Sequence, residues 1–212
     1  MFKKADVLKI IRLLEMCYPE PICALEFKED YQLLFAARLA AQCTDARVNT
    51  VTPVLFGKYP TLEALANSDI NELEKIVFPC GFYKVKARDI QAASIMLLAV
   101  FGGKVPDTME ELLKLPGVGR KTANLILGDV FNKPAIVVDT HCIRLTNRLG
   151  MVNTKDPAKI ETSLRKVLPP DKSSDFCHRL VLHGRVICKA RTPTCELCVL
   201  TEFCKHYIYG HG

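Results

Sequence analysis

Apolar residues recur at three- and four-residue intervals along nearly the whole chain, the spacing of helices with one buried face. Val7, Leu8, Ile11 and Leu14 mark such a stripe between residues 5 and 16. Asp30 is placed to cap a helix running through Leu33, Leu34, Ala37 and Ala41. Thr61 and Ser68 read as N-caps of two short helices, near 62–66 and 69–77. A long helix fits 84–100, and Gly102-Gly103 stops it. Thr108-Met109-Glu110-Glu111 has the form of a capping box before a further apolar run. Asp156-Pro157 opens a helix with proline at its first position, Pro169-Pro170 closes it, and a last long helix fits 174–187. Only Ile136-Val137-Val138 reads as extended, and it is too short to nucleate a sheet. The expected fold class is all-α.

Composition narrows the function classes. The 212 residues are 49% hydrophobic and 25% charged, enough apolar material for a real core and against wholesale disorder. No repeat of solenoid length is visible. The longest apolar stretch, 92–101, is about half of what a membrane span needs. The N-terminus carries charges throughout and no small-residue cleavage site, so it reads as an amphipathic helix and not an export signal. A cytoplasmic, non-secreted protein without membrane contact is expected, most simply as a monomer. The net charge of +6 permits a polyanionic partner without demonstrating one. Of ten cysteines, Cys17, Cys23, Cys43, Cys80, Cys142 and Cys177 are scattered and expected to be reduced core residues, while four crowd into the last 25 positions. Without an export signal that crowding favours a metal site over disulfides. The best chain breaks are Pro19–Pro21 and Lys133-Pro134. They divide the chain at 22–133 from 134–212, with the N-terminal helix 1–21 packing on the C-terminal part.

Three constellations carry chemistry. The first is Leu115-Pro116-Gly117-Val118-Gly119-Arg120-Lys121-Thr122-Ala123, lying between two helical patterns. Two glycines one residue apart allow a tight turn with positive φ and keep side chains away from the amides. The turn opens into a helix whose N–H groups and positive dipole end suit a phosphate. Gly-x-Gly alone is better read as an ordinary helix-helix turn. The whole string is more specific and resembles the helix-hairpin-helix motif of DNA repair glycosylases, which grips the DNA backbone without reading bases. The second constellation is Lys121 in this hairpin and Asp139 in Val137-Val138-Asp139-Thr140-His141. A lysine at a helix N-terminus beside Arg120 has its charged form disfavoured, which suits a nucleophile, while a nearby carboxylate opposes that effect. Alone, Lys121 reads as a solvated lysine and Asp139 as an N-cap.

Taken together these residues resemble the endonuclease III family, the bifunctional DNA glycosylases and abasic-site lyases. The resemblance spans essentially the whole chain, from Ala40-Ala41-Gln42-Cys43-Thr44-Asp45 to the terminal cysteines. It implies a two-lobed all-α helix-hairpin-helix glycosylase fold, with a six-helix domain at 22–133 and an iron-sulfur domain at 134–212. It implies Lys121 as nucleophile and Asp139 as its carboxylate partner. It implies that Gln42 and Phe82, the latter in Cys80-Gly81-Phe82-Tyr83, insert into the duplex when a damaged base is flipped out. Further DNA contacts are implied at Asp45, Gly117, Val118, Gly119, Arg120 and His141. The chain departs from familiar members at Ala40, where serine is common, and at Leu113, where glutamate is common; both bear on lesion preference.

The third constellation is Cys188-x6-Cys195-x2-Cys198-x5-Cys204. Four thiolates in so short a segment signal a metal, and the chemistry of four cysteines alone leaves zinc open. The resemblance implies a 4Fe-4S cluster on these four residues, with Lys189 and Arg191 in the first loop contacting DNA phosphate. The implied activity is removal of oxidised pyrimidines from duplex DNA, or action at abasic sites, followed by strand cleavage through β-elimination. The alternatives are a mismatch-type glycosylase, a non-catalytic helix-hairpin-helix DNA-binding module and an electron carrier built on the cluster.

Overall fold

The computed structural model describes residues 4–210, and every regular element among them is helical. The α-helices are α1 (Lys4–Cys17), α2 (Asp30–Leu39), α3 (Asp45–Lys58), α4 (Leu62–Ala66), α5 (Ile70–Val77), α6 (Tyr83–Phe101), α7 (Met109–Leu112), α8 (Arg120–Asp129), α9 (Thr140–Leu149), α10 (Pro157–Arg165), α11 (Ser173–Val186) and α12 (Lys205–Ile208). They belong to two compact units: residues 23–131 hold α2 to α8, and residues 4–22 with 132–210 hold the rest. No described helix is long and apolar enough to cross a membrane.

In the unit of residues 23–131, α6 is the spine, and α4, α5 and α2 pack against it. Its buried face includes Ala87, Ile90, Ala93, Ser94 and Leu97, a helical stripe, and the helices packed on it bury Leu39, Leu65 and Leu73. The glycine stop acts as expected: Gly102 and Gly103 are both left-handed, and the Gly103 N–H bonds the Leu97 carbonyl at 2.9 Å. Local hydrogen bonding shifts two expected caps. At α2 the cap is Glu29 and not Asp30, because the Gln32 side chain reaches back to the Glu29 N–H at 3.3 Å and so fixes the helix start one residue earlier. At α5 the cap is Asp69 and not Ser68. Asp69 Oδ1 accepts from Asn71 and Glu72, whereas the Ser68 hydroxyl is committed to the Leu65 carbonyl at 2.7 Å. Thr108 caps α7 by accepting from the Glu111 N–H, but the helix runs only four residues before the chain turns into the hairpin.

In the other unit, α1 packs on α11, and α11 and α12 pack on α9. The buried stripe of α1 is Val7, Ile10, Ile11 and Leu14; Leu8 lies off that line and is exposed. Cys17, expected in the core, is exposed at the end of α1, and Cys23 and Cys43 are half-buried; Cys80, Cys142 and Cys177 are buried as expected. The run 136–138 is buried and forms no strand; it leads into the N-cap of α9. Pro157 stands at the first position of α10, but that helix ends at Arg165, before Pro169-Pro170, which instead begin a single 3₁₀ turn.

Candidate active site and cysteine-lined centre

The hairpin is built from a turn that the sequence dictates. Pro116 and Gly117 occupy its central positions, the Val118 N–H donates to the Leu115 carbonyl at 3.1 Å, and Gly117 has φ +75°. That is the signature of a type II turn, whose third residue must be left-handed. The two glycines differ. Gly119 is extended, with φ −99°, and a side chain there would meet nothing within 4 Å. Gly117 lies against an ion pair, and a β-carbon on it would sit 2.6 Å from Asp89 Oδ2 and 2.7 Å from Arg38 Nε. Those two side chains join α2 to α6 at 2.6 Å and are largely shielded from water, so the hairpin rests on a fixed platform. Gly119 is the N-cap of α8 and offers no side chain to its N–H groups. Gly117, Gly119, Arg120 and Lys121 are exposed and Val118 is half-buried. Lys121 is the second residue of α8.

In the same unit two turns share an unusual backbone. Gln42 has φ +55° and Phe82 has φ +48°, left-handed values that non-glycine side chains rarely take. Gln42 follows α2, with the Cys43 N–H bonded to the Ala40 carbonyl; Phe82 is the N-cap of α6. Both side chains are exposed, Phe82 by 65%. An exposed phenylalanine in a strained conformation does nothing for the core. Asp45, three residues after Gln42, begins α3 behind the Thr44 cap and is half-buried. Leu113 is an exposed apolar residue just before the hairpin.

Asp139 belongs to the unit that holds α9. Its Oδ1 accepts the Cys142 N–H at 2.7 Å, so it is an N-cap held in one orientation. His141, in the first turn of α9, is half-buried; its Nδ1 takes a hydrogen bond from Arg144 at 3.1 Å. Arg144 also donates to the Gly184 carbonyl and to the Cys188 carbonyl, which ties α9 to the start of the cysteine segment.

The four terminal cysteines are brought together. Cys188, Cys195, Cys198 and Cys204 line one small cavity with Arg148 and Ile187, about 290 Å³ of space between atoms. No three His, Cys, Asp or Glu side chains among the described residues meet as a single metal ion would need. All four cysteines line that same space. Arg148 secures the rim: it donates to Cys188 Sγ at 3.2 Å, to the Lys189 carbonyl at 2.8 Å and to the Ala190 carbonyl at 2.9 Å. Behind it, His183 Nε2 lies 3.3 Å from Cys198 Sγ and Nδ1 lies 3.1 Å from the Tyr18 hydroxyl. Burial pushes the His183 imidazole down to about 4, so it is neutral at neutral pH, and burial pushes the Cys198 thiol up to about 11. A thiol so placed ionises when a bound cation compensates the charge. Lys189 and Arg191 stand exposed on the loop that Arg148 holds. The supporting residues Tyr18, Arg144, Arg148 and His183 were not among the sequence candidates; only the i, i+4 spacing of the two arginines on one helix hinted at a shared face.

Residues 35–170 match the model of the HhH-GPD superfamily of base excision DNA repair proteins. The chain is 44% identical over 203 residues to endonuclease III of Synechocystis sp., covering 95% of this chain and 93% of that one. It is 42% identical over 189 residues to endonuclease III of Bacillus subtilis, covering 89% and 86%. Its structure superposes with a TM-score of 0.92, at 39% identity and over 99% of both chains, on an endonuclease III trapped as a covalent intermediate with DNA.

Proposed function

This chain belongs to the endonuclease III family of HhH-GPD base excision DNA repair proteins, and from that membership we propose a bifunctional glycosylase and abasic-site lyase that works on damaged pyrimidines in duplex DNA through Lys121. The observation that carries the reading is an exposed lysine on the first turn of α8, directly behind an uncapped glycine hairpin. The chain that carries it matches, over nearly its full length, an enzyme captured in covalent linkage to DNA.

The chemistry follows from the residue types. The damaged base leaves C1′ as positive charge develops on the sugar, and the fixed carboxylate of Asp139 stabilises that charge. The neutral Lys121 amine bonds to C1′ as the bond to the base breaks, and its departing proton is taken by Asp139. Ring opening gives an iminium, which acidifies the 2′ hydrogens. Loss of one of them expels the 3′ phosphate, and water then releases Lys121 from the sugar fragment. The amides of Gly117, Val118 and Gly119 and the Arg120 side chain hold the backbone phosphate. Gln42 and Phe82 fill the space vacated by the extruded nucleotide, with Asp45 and His141 beside the DNA.

Cys188, Cys195, Cys198 and Cys204 fit a 4Fe-4S cluster. Four thiolates that each bind a different iron must surround a cavity, and these four do. When bound, the cluster supplies four iron–sulfur cross-links to a segment with little secondary structure of its own. Arg148 then presents the Lys189 and Arg191 loop to phosphate. With DNA as its substrate the protein works in the cytoplasm, associated with the nucleoid if the cell is bacterial.

The test is borohydride trapping on a duplex carrying one thymine glycol, with an abasic duplex beside it. Covalent adducts are expected on both, and none from Lys121→Ala. An adduct on the abasic duplex alone would move the glycosylase to another lesion class. No adduct on either, with DNA binding intact, would leave a binding module.

A further inference from the structure

Lys86 is a lysine in the wrong place for a surface charge. It lies in the first turns of α6, four residues after Phe82, and is 1% exposed. Helical side chains lean toward the N-terminus of their helix, so its ammonium reaches back beneath the turn that precedes α6. There it donates to two main-chain carbonyls, of Leu39 and of Cys80, each at 2.8 Å. Leu39 is the last residue of α2, where the helix dipole favours a cation, and Cys80 is the last residue of the 3₁₀ turn at Phe78–Cys80. One buried ammonium therefore closes the carbonyl ends of two separate elements.

Both elements lead at once into a left-handed residue. Gln42 lies three residues beyond Leu39, and Phe82 two beyond Cys80. A non-glycine residue in that conformation is costly and persists only where its surroundings impose it. Burial lowers the proton affinity of the Lys86 amine. Burying an ammonium is expensive, and a hydrophobic residue would fill the space more cheaply. What the lysine provides and a hydrophobic residue does not is a rigid link between the two turns.

We propose that Lys86 is a positioning residue for base extrusion, its ammonium tying the end of α2 to the turn before α6 so that Gln42 and Phe82 enter the duplex in register. This rests on the reading of Gln42 and Phe82 as insertion residues. It assigns Lys86 no contact with DNA and no part in the chemistry at Lys121.

The experiment compares Lys86→Met, Gln42→Ala with Phe82→Ala, and all three changes together, in the full chain with its cluster. Two quantities are read: single-turnover excision of thymine glycol, and fluorescence of 2-aminopurine opposite a tetrahydrofuran abasic analogue, which reports filling of the gap. Loss of hydrogen bonds to a charged donor sets the expected effect of Lys86→Met at on the order of tenfold in excision. The fluorescence change on binding should be lost as well. On the Gln42→Ala, Phe82→Ala background the same substitution should add almost nothing, since sites acting through one another are not additive. A full additional tenfold loss there would make Lys86 a general structural residue and overturn the proposal. If the double variant excises and fluoresces like the parent, the insertion reading itself has failed, which is a different result. Should Lys86→Met not fold, Lys86→Gln takes its place in the same comparison with the same expected non-additivity. Where both fold, Lys86→Gln keeps two N–H donors and is expected to lose less than Lys86→Met; an equal loss also overturns the proposal.

Discussion

Two glycines one residue apart do different work, and the difference can be measured. Gly117 is left-handed and its missing β-carbon leaves room for the Arg38–Asp89 pair. Gly117→Ala should cost about 2–4 kcal/mol, from the left-handed conformation plus overpacking, and appear as a lowered thermal midpoint. Gly119→Ala meets no protein atom and should melt near the parent temperature. Its methyl would stand beside the amides that face phosphate, so weaker duplex binding is its expected signature, measured by fluorescence anisotropy. Asp139 separates structure from chemistry in the same way. Asparagine is as good an N-cap as aspartate, so Asp139→Asn should keep α9 and the melting temperature while base excision slows by orders of magnitude. Near-normal turnover would reduce Asp139 to a cap. The sequence showed both candidate roles of this residue, because a cap and a rigid carboxylate need the same side chain.

At the scale of elements, the cysteine segment depends on its neighbours more than on itself. Between Cys188 and Cys204 the chain forms only two 3₁₀ turns, Cys195–Leu197 and Thr201–Phe203. Its shape is borrowed from α9, through Arg144 and Arg148, and from α11, through His183. Arg148→Met keeps much of the apolar stem and deletes the bonds to Cys188 Sγ and to the Lys189 and Ala190 carbonyls. Faster loss of cluster absorbance in air is expected, together with weaker binding to undamaged duplex; unchanged decay would show that the cysteines alone shape the loop. The helices themselves were readable from caps and periodicity. The caps expected at Asp30 and Ser68 fall instead on Glu29 and Asp69 for one cause: adjacent polar residues compete for the same role, and the side chain three positions on, or a carbonyl of the preceding helix, decides between them.

For the molecule as a whole, the DNA-binding reading assigns phosphate contacts to the hairpin amides, to Arg120 and to the Lys189 and Arg191 loop. Affinity for undamaged duplex should then fall steeply with salt. Lys189→Ala with Arg191→Ala should lower the slope of log affinity against log salt by about 1.8, roughly 0.9 for each phosphate no longer neutralised. An unchanged slope would take that loop off the DNA. A net charge of +6 would not have located these cations, because it says nothing about which face carries it.

Local sequence alone sets the all-α class, most helix positions, a tight glycine turn in the hairpin and the four-cysteine motif. These are local: each depends on residues a few positions apart, through helical periodicity, capping and turn chemistry. Tertiary structure decided what distant segments do to one another. Lys86 sits in the basic run Lys84, Lys86, Arg88 and reads there as a solvated charge. Its register with Ile90 and Leu97 places it on the buried face of α6, yet nothing local says that the carbonyl of Leu39, 47 positions away, waits beneath it. The same holds for Arg38 and Asp89 under Gly117, and for Arg148 at the cysteine cavity. Hydrogen bonds between residues about forty or more positions apart leave no periodic trace in the chain. They exist only once packing has brought their partners within reach, and the cost of burying an unpaired polar group then fixes the pairing.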